Sequence, residues 1–137
     1  LRMERHIENA KAIATWLESH PSVEQVNYAS LPSSKYNALA KKYSPRGSGS
    51  VLSFELKGGA AAGKKFVESL KLFSHVANIG DVRSLVIHPA TTTHSQLSVD
   101  EQLAAGVTPG LVRLSIGLEN IKDLKEDLDA GFNATKG

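Results

Sequence analysis

Cysteine is absent from this chain, and its absence removes several chemistries at once. There is no disulfide frame, no thiolate metal site and no cysteine nucleophile, a usage that suits a reducing compartment such as the cytoplasm. Excess charge is lacking too. The 16 Lys and Arg are nearly matched by 14 Asp and Glu, leaving +2 at neutral pH. Lys41-Lys42 and Lys64-Lys65 are the only basic doublets. No basic stripe interleaved with aromatics exists, which argues against a nucleic-acid partner. No apolar run approaches the ~20 residues that span a bilayer, and no signal peptide is evident, which argues against a membrane partner.

What is present is enough for one folded unit over residues 1–137. Hydrophobic residues make up 41% and charged residues 22%, so a core can form and disorder is disfavoured. Met3, Ile7, Ala10, Ala14 and Leu17 form one apolar stripe of a helix, ended near Ser19-His20 by Pro21. That helix starts with no capping side chain and no initiator methionine, so the polypeptide is expected to extend upstream. Residues 23 to 28 suit a short strand. Ser30 to Ser34 suit a loop ending in a cap for a short helix carrying Tyr36, Leu39, Ala40 and Tyr43. Pro45 and Gly47-Ser48-Gly49-Ser50 then make a turn. In Val51–Leu56, Leu52, Phe54 and Leu56 alternate onto one face of a strand. Phe66, Leu70 and Phe73 mark a helix over about residues 60 to 72. Short strands follow near 74–77 and 85–87. Ser98 and Glu101 have the spacing of a capping box for a helix that stops before Gly106. Asn120 caps a last helix whose apolar face is Ile121, Leu124, Leu128 and Phe132. Few short strands alternating with helices predict an α+β fold, a small mainly antiparallel sheet with helices packed on one face.

Arg113 is the main functional candidate. Val112, Leu114 and Ile116 alternate with Leu111, Arg113 and Ser115, a strand pattern that carries a guanidinium into a sheet. That placement costs free energy unless something answers its charge and its donors. A carboxylate ligand held by two parallel hydrogen bonds would do so. So would water and a nearby Asp or Glu, if the side chain snorkels from a sheet edge. The polar stretch from Ile87 to Ser98 is a second candidate, because a loop of that length in a compact domain is more often functional than idle. It contains His88 and His94, six residues apart, but no metal-ligand or catalytic partner stands at a recognisable spacing. Both histidines suit structural roles, with hydroxyls and loop carbonyls as partners. Gly47-Ser48-Gly49 lacks the pattern of a phosphate loop. Ser84, before the apolar run Leu85-Val86-Ile87, suits a local backbone hydrogen bond.

Two long motifs go further. The run Asn78-Ile79-Gly80-Asp81-Val82-Arg83-Ser84-Leu85-Val86-Ile87-His88-Pro89-Ala90-Thr91-Thr92-Thr93-His94, and Val112-Arg113-Leu114-Ser115-Ile116-Gly117-Leu118-Glu119-Asn120, closely resemble the C-terminal domain of the Cys/Met-metabolism enzymes that use pyridoxal phosphate. The resemblance covers the whole chain. The triple threonine points, within that family, to members that make homocysteine and acetate from O-acetylhomoserine and sulfide. Cystathionine γ-synthase or lyase types, users of O-succinylhomoserine, and a non-catalytic amino-acid-binding module remain alternatives. The resemblance implies a fold type I enzyme whose N-terminal domain holds the pyridoxal phosphate, so this chain alone should be inactive and contain no catalytic residue. It implies that Arg113 binds the α-carboxylate of the amino-acid substrate, that Ser84 helps to position the cofactor-binding lysine and substrate, and that Thr93 lines the pocket. It also implies a homotetramer. Lys35, the only lysine with serines just before it, sits in Leu-Pro-Ser-Ser-Lys-Tyr, which does not match the Ser-x-x-Lys context of the Schiff-base lysine.

Overall fold

The computed structural model describes all of residues 1–137. Its strands are β1 (Val23–Asn27), β2 (Val51–Leu56), β3 (Ser74–His75), β4 (Leu85–Ile87) and β5 (Leu111–Ser115), joined in one sheet of order β1-β2-β5-β4-β3. The β1–β2, β2–β5 and β4–β5 pairings are antiparallel, and only β3 and β4 run parallel. The fold is the α+β arrangement that the alternation of elements predicts, with a mostly antiparallel sheet.

Period-2 alternation decides which face is covered. Leu52, Phe54 and Leu56 of β2, with Val112 and Leu114 of β5, are buried on one face of the sheet. Three helices close over them: α1 (Arg2–Glu18), α3 (Gly59–Ser69) and α5 (Ile121–Ala134). Phe54, Phe66 and Phe132 meet at the centre, with ring centroids 4.8 to 5.9 Å apart, within the range of favourable aromatic pairs. Two short helices, α2 (Asn37–Tyr43) and α4 (Val99–Ala104), lie outside this core and bury no residue.

Three local expectations need correction. In α1 the buried residues are His6, Asn9, Ala10, Ile13, Ala14 and Leu17, whereas Met3 is 56% exposed. The helix is rotated from the purely apolar stripe because two polar side chains find partners inside. His6 Nδ1 lies 2.6 Å from the Ile116 carbonyl, and Asn9 Nδ2 donates to the carbonyls of Gly117 and Glu119. A buried polar group that is hydrogen-bonded carries little penalty. In α2 no side chain caps the N-terminus, and Tyr36, Leu39 and Tyr43 stay exposed despite their helical spacing. Ser34, expected as its cap, accepts a bond from the Tyr36 N–H in the preceding turn. Finally, α3 stops at Ser69 rather than 72. The Asp127 carboxylate of α5 accepts the N–H groups of Lys71, Leu72 and Phe73, at 2.9 to 3.0 Å, and pulls the chain out of the helix.

Candidate functional site

The sheet face opposite the three long helices carries the polar features. Register places Asn27, Ser53, Arg113 and Ile87 in one row across β1, β2, β5 and β4. Arg113 therefore sits on the middle strand of five, not at an edge. No Asp or Glu pairs with it. Its only side-chain hydrogen bond is from Nη2 to the carbonyl of Asn78, at 3.3 Å. Its other side-chain donors have no partner within the chain, so the chain brings a cation to the centre of a sheet without supplying a counter-charge.

Above that row is a cleft of about 340 Å³. Asn27, Ser53, Ile87, Pro89, Thr93, His94, Val107 and Arg113 are among its walls. Thr93 and Arg113, 20 positions apart in sequence, thus line one cavity. The loop that carries Thr93 is fixed from beneath. It starts with a 3-10 turn at Pro89–Thr91. His88 is fully buried, with Nε2 2.6 Å from the Pro109 carbonyl and Nδ1 2.8 Å from the Thr91 hydroxyl. A carbonyl only accepts, so the Nε2 that faces Pro109 carries a proton. The Gln102 side chain of α4 adds bonds to the carbonyls of Ala90 and His94. Ser98 and Glu101 form the expected capping box beneath it, and hydrogen bonding to Ser98 holds the Glu101 carboxyl below its usual range. His94 Nδ1 pairs with the Thr93 hydroxyl at 2.8 Å. His88 has the hydroxyl and carbonyl partners that the sequence suggests, and the His94 ring has a hydroxyl partner alone.

Ser84 is placed elsewhere. It does not line the cleft, and it is completely buried. Its N–H and O–H donate to the two oxygens of Glu119, at 2.6 and 2.8 Å, and its Oγ accepts from the Gly117 N–H at 2.8 Å. That hydroxyl thus both donates and accepts within the fold. Asn78 and Ser53 are the residues that sequence reasoning passed over. Asn78 opens the first long motif, but it reaches Arg113 through its backbone, which no side-chain pattern marks. Ser53 faces Arg113 across β2 and β5, a relation that follows only from the pairing register. No cluster of three or more His, Asp or Glu side chains is placed to hold a metal ion.

Comparison with known proteins adds what one chain cannot show. The family model described as Cys/Met metabolism PLP-dependent enzyme matches residues 1–133. The chain belongs to that family. Among relatives in it, an O-acetyl-L-homoserine sulfhydrylase of Leptospira meyeri is 57% identical over 94% of this chain and 29% of its own length. A solved Campylobacter jejuni protein described as an O-acetylhomoserine (thiol)-lyase, with a pyridoxyl-lysine group, superposes with a TM-score of 0.89 at 45% identity. It is matched over 96% of this chain and 31% of its own. A cystathionine γ-synthase of Xanthomonas oryzae, in complex with cystathionine, gives 0.89 at 42% identity over 98% of this chain and 35% of its own. The chain spans about a third of the length of the curated relatives it matches.

The family's cofactor can be tested against the residues present. An amine to hold pyridoxal phosphate must project into the site. No lysine lines the Arg113 cleft, and every lysine but Lys125 is exposed. Lys35 is exposed beside Tyr36, over whose ring it makes a cation–π contact. The residues of this chain do not fit the role of cofactor anchor.

Proposed function

We propose that this chain is the substrate-carboxylate-binding part of a pyridoxal-phosphate-dependent transferase that converts O-acetylhomoserine and sulfide to homocysteine and acetate. The observation that carries this reading is Arg113, a guanidinium held on a central strand beside a cleft with no carboxylate to answer it. A planar fork of donors matches a carboxylate bidentately. Gripping the α-carboxylate fixes how the amino acid lies in the site, which raises rate through orientation rather than proton transfer. Thr93 completes the same cleft from the loop side. Pyridoxal phosphate, held by protein outside this chain, supplies the electron sink. Acetate leaves the γ carbon and sulfide takes its place. In this reading the complete enzyme is a cytoplasmic homotetramer, an expectation carried by the family resemblance.

A second reading keeps the same anchor and changes the nucleophile. The 42% identity to a cystathionine γ-synthase supports it, because a carboxylate grip is equally useful when cysteine replaces sulfide. The deciding experiment is an assay of the complete protein with O-acetylhomoserine or O-succinylhomoserine, each offered sulfide or cysteine. Homocysteine from the acetyl ester and sulfide supports the first reading. Cystathionine as the main product supports the second. Amino-acid binding with no turnover on any pair would leave only a binding module and overturn both.

A further inference from the structure

The Arg113 site has a second wall whose support comes from an unassigned carboxylate. Strands β3 and β4 are neighbours and parallel, so residues 76–84 must travel back along the sheet to join them. This segment brings the Asn78 carbonyl to Arg113. It has almost no packing of its own, since residues 76 to 80 and Val82 and Arg83 are all exposed.

What restrains it lies at its far end. There residues 82–84 run against residues 117–119, which leave β5. The Leu118 N–H donates to the Val82 carbonyl at 2.9 Å. The Gly117 N–H donates to Ser84 Oγ, and Ser84 donates twice to Glu119. Gly117 must be glycine for this approach, because a Cβ there would overlap the Val82 carbonyl and come within 2.6 Å of the Glu119 carboxylate. Asn9 of α1 pins the carbonyls of Gly117 and Glu119 from the other side. Glu119 stands next to the start of α5, where a carboxylate commonly serves the helix end. Here it does not, because Asn120 supplies the cap by accepting from the Lys122 N–H. Both Glu119 oxygens are instead aimed at Ser84. One carboxylate therefore ties the strand that bears Arg113 to the segment that meets its guanidinium.

We infer that Glu119 is a positioning residue for the Arg113 site. Acting through Ser84, it sets where the 76–84 segment meets Arg113, and so the angle at which the fork is offered to the substrate acid. The inference rests on the reading of Arg113 as the carboxylate anchor. It gives Ser84 a place in the site's support without contact with substrate.

The test uses the complete enzyme with Glu119→Gln, Glu119→Asp, Arg113→Ala and the double variant Arg113→Ala/Glu119→Gln. Glutamine presents one acceptor to two Ser84 donors, so one charge-assisted bond is lost and KM for the amino-acid substrate should rise about tenfold. The effect on KM should exceed that on kcat, and cofactor absorbance should be retained. Glu119→Asp keeps both acceptors one methylene further back and should give a smaller rise, which preserves the test if the glutamine variant does not fold. In the Arg113→Ala background, Glu119→Gln should weaken substrate saturation no further, since the group it positions is gone. A purely structural Glu119 would lower the melting temperature and leave KM unchanged, or would act equally in both backgrounds, and either result overturns the inference. If Arg113→Ala itself leaves saturation unchanged, the reading of Arg113 fails, and this inference with it. A large Arg113→Ala effect with inert Glu119 variants removes Glu119 alone.

Discussion

At the scale of single residues, two side chains hold charge under opposite terms. Arg113 is a cation kept without a partner, and Asn78 offers it only a carbonyl. In the complete enzyme, losing both bonds to the substrate acid on Arg113→Ala should cut kcat/KM by about a hundredfold, with cofactor absorbance retained. Arg113→Lys keeps the charge but not the fork, so it should fall between the two. Equal saturation curves for all three proteins would remove Arg113 from the site. His20 is the contrary case, a group kept from charging. Its side chain is only 10% exposed, stacks on Phe132 at 3.9 Å and lies 3.6 Å from Asp129. Burial lowers its pKa from the usual 6.5, although Asp129 pulls the other way. The direction of the consequence follows from proton counting. Above pH 6.5 the imidazole is neutral in both states and costs nothing. As pH falls through 6.5 towards the lower folded value, the unfolded chain takes up the proton first, and stability is lost. His20→Phe keeps the stack and removes the titration. Urea midpoints of the 137-residue chain between pH 7.5 and 5 should therefore fall less steeply in the variant. Parallel profiles would show that His20 does not couple to folding.

At the scale of elements, what could be read from sequence is what depends on neighbours in sequence. The strand Val51–Leu56 is legible because three alternate apolar residues meet one core face. The two capped helices are legible because the cap lies within a turn of what it caps. The cap of α5 is testable. Asn120→Ala should lower the stability of the chain by ~1 kcal/mol, and Asn120→Ser should recover most of it, as read from denaturant melts. No difference between alanine and asparagine would mean that the Lys122 N–H is served by water. Elements become illegible where the partner is distant. The buried face of α1 turns on His6 and Asn9 reaching carbonyls more than 100 positions away. The end of α3 is fixed by Asp127, 54 to 56 positions further on. The same reasoning separates the site residues. Arg113 was legible because a charge interrupts a local apolar alternation. Asn78 and Glu119 act through a backbone carbonyl and a crossover segment, and neither leaves a periodic trace.

At the scale of the whole molecule, the core and the Arg113 cleft occupy opposite faces of one sheet. The core is a single cluster of 20 buried residues between the sheet and α1, α3 and α5. None of the long helices needs anything from the Arg113 face to close that core, so the 137-residue chain should fold cooperatively by itself. Phe132 touches His20, Trp16, Phe54 and Phe66, and Phe132→Ala should remove ~3–5 kcal/mol of that stability. The opposite face presents Arg113 and a cleft whose walls include no lysine. Under the proposed function, an acid-binding part without a cofactor anchor does not turn over an amino acid. The isolated chain should accordingly show a single unfolding transition, no Schiff-base absorbance on addition of pyridoxal phosphate, and no homocysteine from O-acetylhomoserine and sulfide. Measuring all three on one preparation separates the explanations. A chain that fails to unfold cooperatively would place part of the core outside these residues. A folded chain that formed homocysteine would show that the anchor lies among the exposed lysines after all, and the division of labour between the two faces would be wrong.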